Sequence, residues 1–234
     1  MRGHSTPSTF AILAVLVVFT ILGGPTAHAV DGVIEINQAR ALAGGPSDGP
    51  GFPVTVSESG SYRLTSDLDV GTTAGGISIT AADVTIDLNG FEISTTSGSG
   101  NGIAIDSTSH NVEIRNGTVR GFNYGVFLSP GVEIARIVDV RAIGNQEYGF
   151  MTQGNGTLVR GCTAADNKSG FRGFEGSLIL ESIAYGNTEY GMVLNGTAWG
   201  SNILSGNNGG NTNPQVNAGT SVQVTGNQCG TSSC

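Results

Sequence analysis

Gly102-Ile-Ala-Ile, Gly125-Val-Phe-Leu, Gly149-Phe-Met-Thr, Gly170-Phe-Arg-Gly and Gly191-Met-Val-Leu are five versions of one phrase, set 23, 24, 21 and 21 residues apart. A second series, Asn145, Asn167, Asn187 and Asn207, runs beside it at steps of 22, 20 and 20. Short apolar runs recurring at such a period, separated by Gly and Asn, mark a solenoid whose repeats bury their apolar side against their neighbours. Each cycle carries about three runs of three or four residues, as in Asn111-Val-Glu-Ile followed by Asn116-Gly-Thr-Val-Arg-Gly. Such runs are too short for helices of about 10–12 residues, which excludes the helical arrays. The fixed leucine spacing of leucine-rich repeats is missing too. What fits is an all-β parallel β-helix: three short strands per coil and about seven or eight coils, each ~4.8 Å above the last.

Composition agrees. Glycine accounts for 38 of 234 residues, about twice its usual share. Charged residues are 12 % of the chain, roughly half the usual proportion. Amphipathic surface helices need many charges on their outer sides, whereas stacked strands faced with Thr, Ser and Asn need few.

Working outward from the repeat, residues 76–208 are expected to be the β-helix. Ala82-Asp-Val-Thr-Ile-Asp-Leu-Asn-Gly alternates as a strand and ends in a turn dipeptide. Residues 30–75 lose the period and carry the loop signal Pro50-Gly-Phe-Pro. They are expected to form an N-terminal cap over the first coil, because an exposed strand edge invites pairing with other chains. Residues 209–234 are expected to be the C-terminal cap. They end in Cys229-Gly-Thr-Ser-Ser-Cys234, where an oxidising compartment favours a small disulfide loop. Cys162, among Gly161, Thr163 and Ala164, is expected to be a buried thiol.

Residues 1–29 read as a signal peptide: Arg2, an apolar run over 10–22, and the small-x-small site Ala27-His-Ala. The run is too short to span a bilayer comfortably. The mature chain is expected to be secreted or periplasmic, with no membrane span. Removing 1–29 leaves nine Lys and Arg against eighteen Asp and Glu, since Arg2 is the one charged residue lost. That acidic balance argues against nucleic acid and anionic membranes as partners. It also argues against steering of a polyanion unless a local basic patch overrides it.

Gly60-Ser-Tyr-Arg-Leu-Thr-Ser-Asp-Leu, Ala82-Asp-Val-Thr-Ile-Asp-Leu-Asn-Gly, Asn111-Val-Glu-Ile-Arg-Asn-Gly and the Gly-Asn and Tyr-Gly recurrences resemble the right-handed parallel β-helix repeat proteins of bacteria. These have the architecture of the broad pectate-lyase-like superfamily. The resemblance covers nearly the whole mature chain and implies the right hand of the coil. It implies no single function, because the fold serves lyases, hydrolases, epimerases, adhesins and binding proteins. The polygalacturonase-type aspartate and histidine motifs of this fold class are absent, so no catalytic residue carries over.

The residues that carry chemistry are few. Lys168 is the only lysine, and Glu147 and Glu189 sit at the same corner one coil to either side. This column is read as a surface ion-pair ladder rather than a catalytic group. Glu113 and Glu133, 20 apart, suggest a second column; Arg115, Arg136 and Arg160 are expected to screen it, with calcium the alternative. His110 alone gives no metal cluster. Tyr124, Tyr148 and Tyr190 each precede the recurrent glycine and form a candidate sugar-stacking column, or else simply cover a corner. The expected function is non-catalytic binding of carbohydrate or a cell-surface component, without a cofactor. The alternatives are a polysaccharide lyase, epimerase or glycoside hydrolase, and a purely structural rod.

Overall fold

Three left-handed residues per coil bend this chain into a three-sided rod. At the corner between the first and second faces they are Asp83, Asn111, Ile134, Gly156, Gly176 and Gly196. At the next corner stand Asn89, Asn116, Asp139, Gly161, Glu181 and Ser201; at the third, Gly121, Gly144, Asp166, Gly186 and Gly206. Gly, Asn and Asp enter this conformation at least cost, which is why they punctuate the repeat. The computed structural model describes residues 32–45, 48–72, 75–210, 215–230 and 232–234. The expected signal peptide, 1–29, lies outside the described residues.

The first face stacks eight strands: Val54–Val56, Gly75–Ile79, Asn101–Ile105, Tyr124–Leu128, Tyr148–Thr152, Ser169–Gly173, Met192–Leu194 and Val216–Asn217. All of these pairs are parallel and in register. The second and third faces are joined where single strands, His110–Arg120 and Glu133–Ile143, run through both and bend at Asn116 and Asp139. Elsewhere each face has its own strand, such as Ser177–Leu180 and Ile183–Tyr185. The chain is a parallel β-helix, and eight strands at ~4.8 Å make the stack about 34 Å long.

The stack begins earlier than the change in periodicity suggests. Val54–Val56, Gly60–Leu64 and Leu68–Asp69 pair in parallel with the next coil, so a full coil lies inside the 30–75 stretch. Ahead of it come one strand, Val33–Ile36, paired with Gly60–Leu64, and a short helix, Gln38–Ala43, capped by Asn37. At the other end, Gln228–Cys229 turns back antiparallel onto Ser232–Ser233, and Cys229 is bonded to Cys234.

Strand alternation sends one residue in and the next out, and stacking turns each inward position into a column. Ile77, Ile103, Val126, Phe150, Phe171 and Met192 form such a column, all at most 1 % exposed. Within it the Phe150 and Phe171 rings stack at 4.9 Å. The recurrent glycine has a steric cause. A Cβ at Gly170 would overlap the Gly191 carbonyl oxygen and lie 3.1 Å from Asn187 Nδ2.

That asparagine belongs to a buried ladder. Asn167 Oδ1 accepts from Asn145 N and Nδ2, both at 2.9 Å; Asn187 Oδ1 accepts from Asn167 at 3.0 and 3.1 Å; Asn207 Oδ1 accepts from Asn187 at 3.1 and 2.7 Å. Gln215 Oε1 ends it. Each amide satisfies backbone groups that a tight corner removes from the sheet. A second ladder lines the corner between the second and third faces: Cys162 N donates to Ser182 Oγ, Ser182 N to Asn202 Oδ1, and Asn202 N to Asn227 Oδ1.

Candidate functional site

On the first face the outward positions form two columns. One runs Asn101, Tyr124, Tyr148, Ser169; the other runs Ser78, Ala104, Phe127, Met151, Arg172, Val193. In the fourth to sixth coils these columns bring an aromatic cluster to the surface. Tyr124 and Tyr148 stack on each other at 6.1 Å with planes 4° apart, and Phe127 tilts against Tyr124 at 5.5 Å. The Arg172 guanidinium lies over the Phe174 ring at 4.8 Å and over the Tyr148 ring at 5.7 Å. Its Nη1 also donates to Tyr148 Oη at 3.5 Å. All six side chains, Met151 included, are half-buried: seated on the sheet, with one side toward solvent.

This geometry alters the sugar-stacking expectation for the tyrosines. Tyr148 is engaged by Tyr124 from the coil before and by Arg172 from the coil after, and its hydroxyl accepts from Arg172, so part of its ring is already covered. Tyr190 lies two coils from Tyr148, with Ser169 between, roughly 10 Å along the stack.

Corner residues border the cluster. Lys168 Nζ donates to Glu147 Oε2 at 2.8 Å and Oε1 at 3.2 Å. Backbone bonds link Glu147, Ser169, Lys168 and Glu189 up the same corner, so the three charges do stack coil upon coil. Glu189 acts on the lysine only through its field. The hydrogen bond and charge of Glu147 hold the Lys168 ammonium above its ordinary range. A lysine general base needs the opposite shift. Nearby, loop 95–100 approaches Gln146 so closely that a Cβ on Gly98 would overlap its amide. The loop's last residue, Gly100, accepts from Tyr124 N at 3.3 Å, which ties the loop to the cluster's first tyrosine.

The Glu113 and Glu133 column does not form. Glu113 pairs in register with Arg136, while Glu133 pairs with His110, because the second Val-Glu-Ile enters its strand three residues early. Arg115 at 3.0 Å and Arg136 at 3.5 Å contact Glu113, and Arg115 also reaches Asp87 at 3.4 Å. Among the described residues no three His, Cys, Asp or Glu side chains converge in a way that would hold a metal ion. Burial pushes the Cys162 thiol up to about 12, leaving it protonated and inert at ordinary pH.

Phe127, Met151, Arg172 and Phe174 were not legible from the sequence as site residues. For Phe127, Met151 and Arg172 the signal was present in the repeated phrase itself, whose third residue is the outward one. It was masked because Phe and Met at that position look like core.

The third face also exposes apolar side chains: Ile183 and Ile203, opposite each other on adjacent strands, with Tyr185 beside them. Among the described residues, no helix is long and apolar enough to cross a membrane.

No family model and no curated protein matches the chain. Among solved structures it is similar to the A-module of the Azotobacter vinelandii mannuronan C-5 epimerase AlgE4, with 18 % identity and a TM-score of 0.47. The match covers 75 % of this chain and 60 % of that one. No residue role is transferred from it, and the fold rests on the strand register.

Proposed function

We propose that this β-helix is an exported, non-catalytic protein that binds a polysaccharide or another cell-surface component on the outer side of its first sheet. The observation that carries this reading is the half-buried cluster of Tyr124, Phe127, Tyr148, Met151, Arg172 and Phe174 on the first face, where aromatic rings, a methionine and an arginine contact one another across three coils. Aromatic residues, Met and Arg are the types enriched where proteins bind partners, while isolated exposed apolar residues need no such explanation. The apolar rings supply contact area for the C–H side of a sugar. Lys168 and Glu189 stand at the border to meet its hydroxyls.

The non-catalytic part is supported by the state of the charged groups. Lys168 is held protonated by Glu147, and Glu113 is occupied by two arginines. Export is supported by the apolar run over 10–22 with its Ala27-His-Ala site, and by the Cys229–Cys234 bond. The reading requires no cofactor, nucleic acid or membrane span.

A glycan array with the mature protein, run beside an assay for unsaturated, shortened or epimerised products on uronate and neutral polymers, tests the reading. Retention of a glycan that is lost in Tyr148→Ala and Phe127→Ala, with no product formed, is the expected result. Product formation would replace it with the lyase, epimerase or hydrolase reading.

A further inference from the structure

We infer that Arg172 selects, among the polysaccharides this face takes, those bearing a carboxylate. The inference rests on the binding face proposed above and goes further by naming the group recognised. Arg115, Arg120, Arg136, Arg160 and Lys168 each form a salt bridge with a carboxylate. Among the described residues Arg40, Arg63, Arg141 and Arg172 form no salt bridge, and of these Arg172 is the one placed over aromatic rings. The Arg172 guanidinium carbon lies instead over the Tyr148 and Phe174 rings, 5.7 and 4.8 Å from their centroids.

Two cation–π contacts and one hydrogen bond restrict where the half-buried guanidinium can sit. A guanidinium has five N–H donors, and one of them is engaged here, Nη1 with Tyr148 Oη. The remaining fork matches the two oxygens of a carboxylate, and an arginine so restricted loses little freedom in making that pair. Nearby negative charge is partly offset, since Glu147 is paired with Lys168, while Glu175 and Glu189 are exposed to water, which screens them. The acidic balance of the whole chain opposes long-range attraction of a polyanion. Arg172 therefore acts at contact distance and sets specificity more than association rate.

The test uses the mature protein with a linear polyuronate and the same polymer after reduction of its carboxyls to alcohols. The expected preference for the polyuronate is about 10- to 100-fold, the effect of one charge-assisted bidentate pair. Arg172→Gln should erase that preference, and Arg172→Lys should keep only part of it. Added sodium chloride should weaken the wild-type protein on the polyuronate but not on the reduced polymer, a readout that stands even if a variant misfolds. Equal binding of both polymers overturns the inference and leaves the binding face intact. Binding of neither removes the face and the inference together. Equally tight binding of polyglutamate overturns the recognition of sugar as such.

Discussion

Replacing Asn187 with Ala breaks the inner ladder at its middle. Asn187 Oδ1 accepts from the Asn167 backbone N–H at 3.0 Å and from Asn167 Nδ2 at 3.1 Å; its own Nδ2 donates to Ala164 O at 3.0 Å and Asn207 Oδ1 at 2.7 Å. Asn167 Nδ2 keeps Ala142 O, and Asn207 Oδ1 keeps the Asn187 backbone N–H, so those losses are partial. The Asn167 backbone N–H is left with nothing in a site that is 1 % exposed. One orphaned buried donor costs about 1–3 kcal/mol, and the weakened bonds add to it, which gives a total of about 3 kcal/mol. With a urea dependence of about 2 kcal/mol per molar, the midpoint should fall by roughly 1.5 M. Thr188→Ala, at an exposed hydroxyl one residue away, should cost less than about 0.5 kcal/mol. Hydrogen exchange should show the Asn167 amide opening first while first-coil amides hold. Equal midpoints for the two variants would refute the claim that the ladder secures the corner.

Other consequences follow from particular residues. Ile134 is a β-branched residue at φ 54° with 59 % exposure, in a corner column otherwise held by Asp, Asn and Gly. Ile134→Asn should raise stability by about 1 kcal/mol, read as a higher thermal midpoint, and a lower midpoint would show that the isoleucine is not strained. The buried Cys162 thiol, pushed up from 9.0 to about 12, favours the folded state fully below pH 9, and that contribution is lost as pH climbs toward 12. Over that window the wild type should lose up to about 1.4 kcal/mol per pH unit more than Cys162→Ala. Parallel pH slopes for the two proteins would contradict the burial. The folded wild type should also resist alkylation at neutral pH.

Most of the fold was legible because it is written in period and residue type. Glycine every 21 to 24 residues marks the position where a coil meets the next coil's backbone, and Asn145, Asn167, Asn187 and Asn207 mark the ladder beside it. The second ladder was hidden because its rungs change identity, Cys162, Ser182, Asn202, Asn227, while keeping one geometric task. The first coil was hidden because its strands precede the spacing that repeats. At the site, the tyrosines and the Glu147–Lys168 pair stood out as unusual residues at recurrent positions. Arg172 did not, because only register shows that it shares a column with Phe127 and Met151 and reaches Tyr148 from the next coil. Glu113 and Glu133 failed for the same reason: equal spacing suggested a column, and a three-residue offset in register removed it.

The central claim is that ligand contacts fall on the outer first face of the fourth to sixth coils. Backbone and side-chain chemical-shift mapping with a uronic acid tetrasaccharide tests it most directly. The account predicts saturable shifts at Tyr124, Phe127, Tyr148, Met151, Arg172 and Phe174, with Ile183, Tyr185 and Ile203 on the third face unmoved. Saturable shifts confined to the third face, with the aromatic cluster silent, would contradict it.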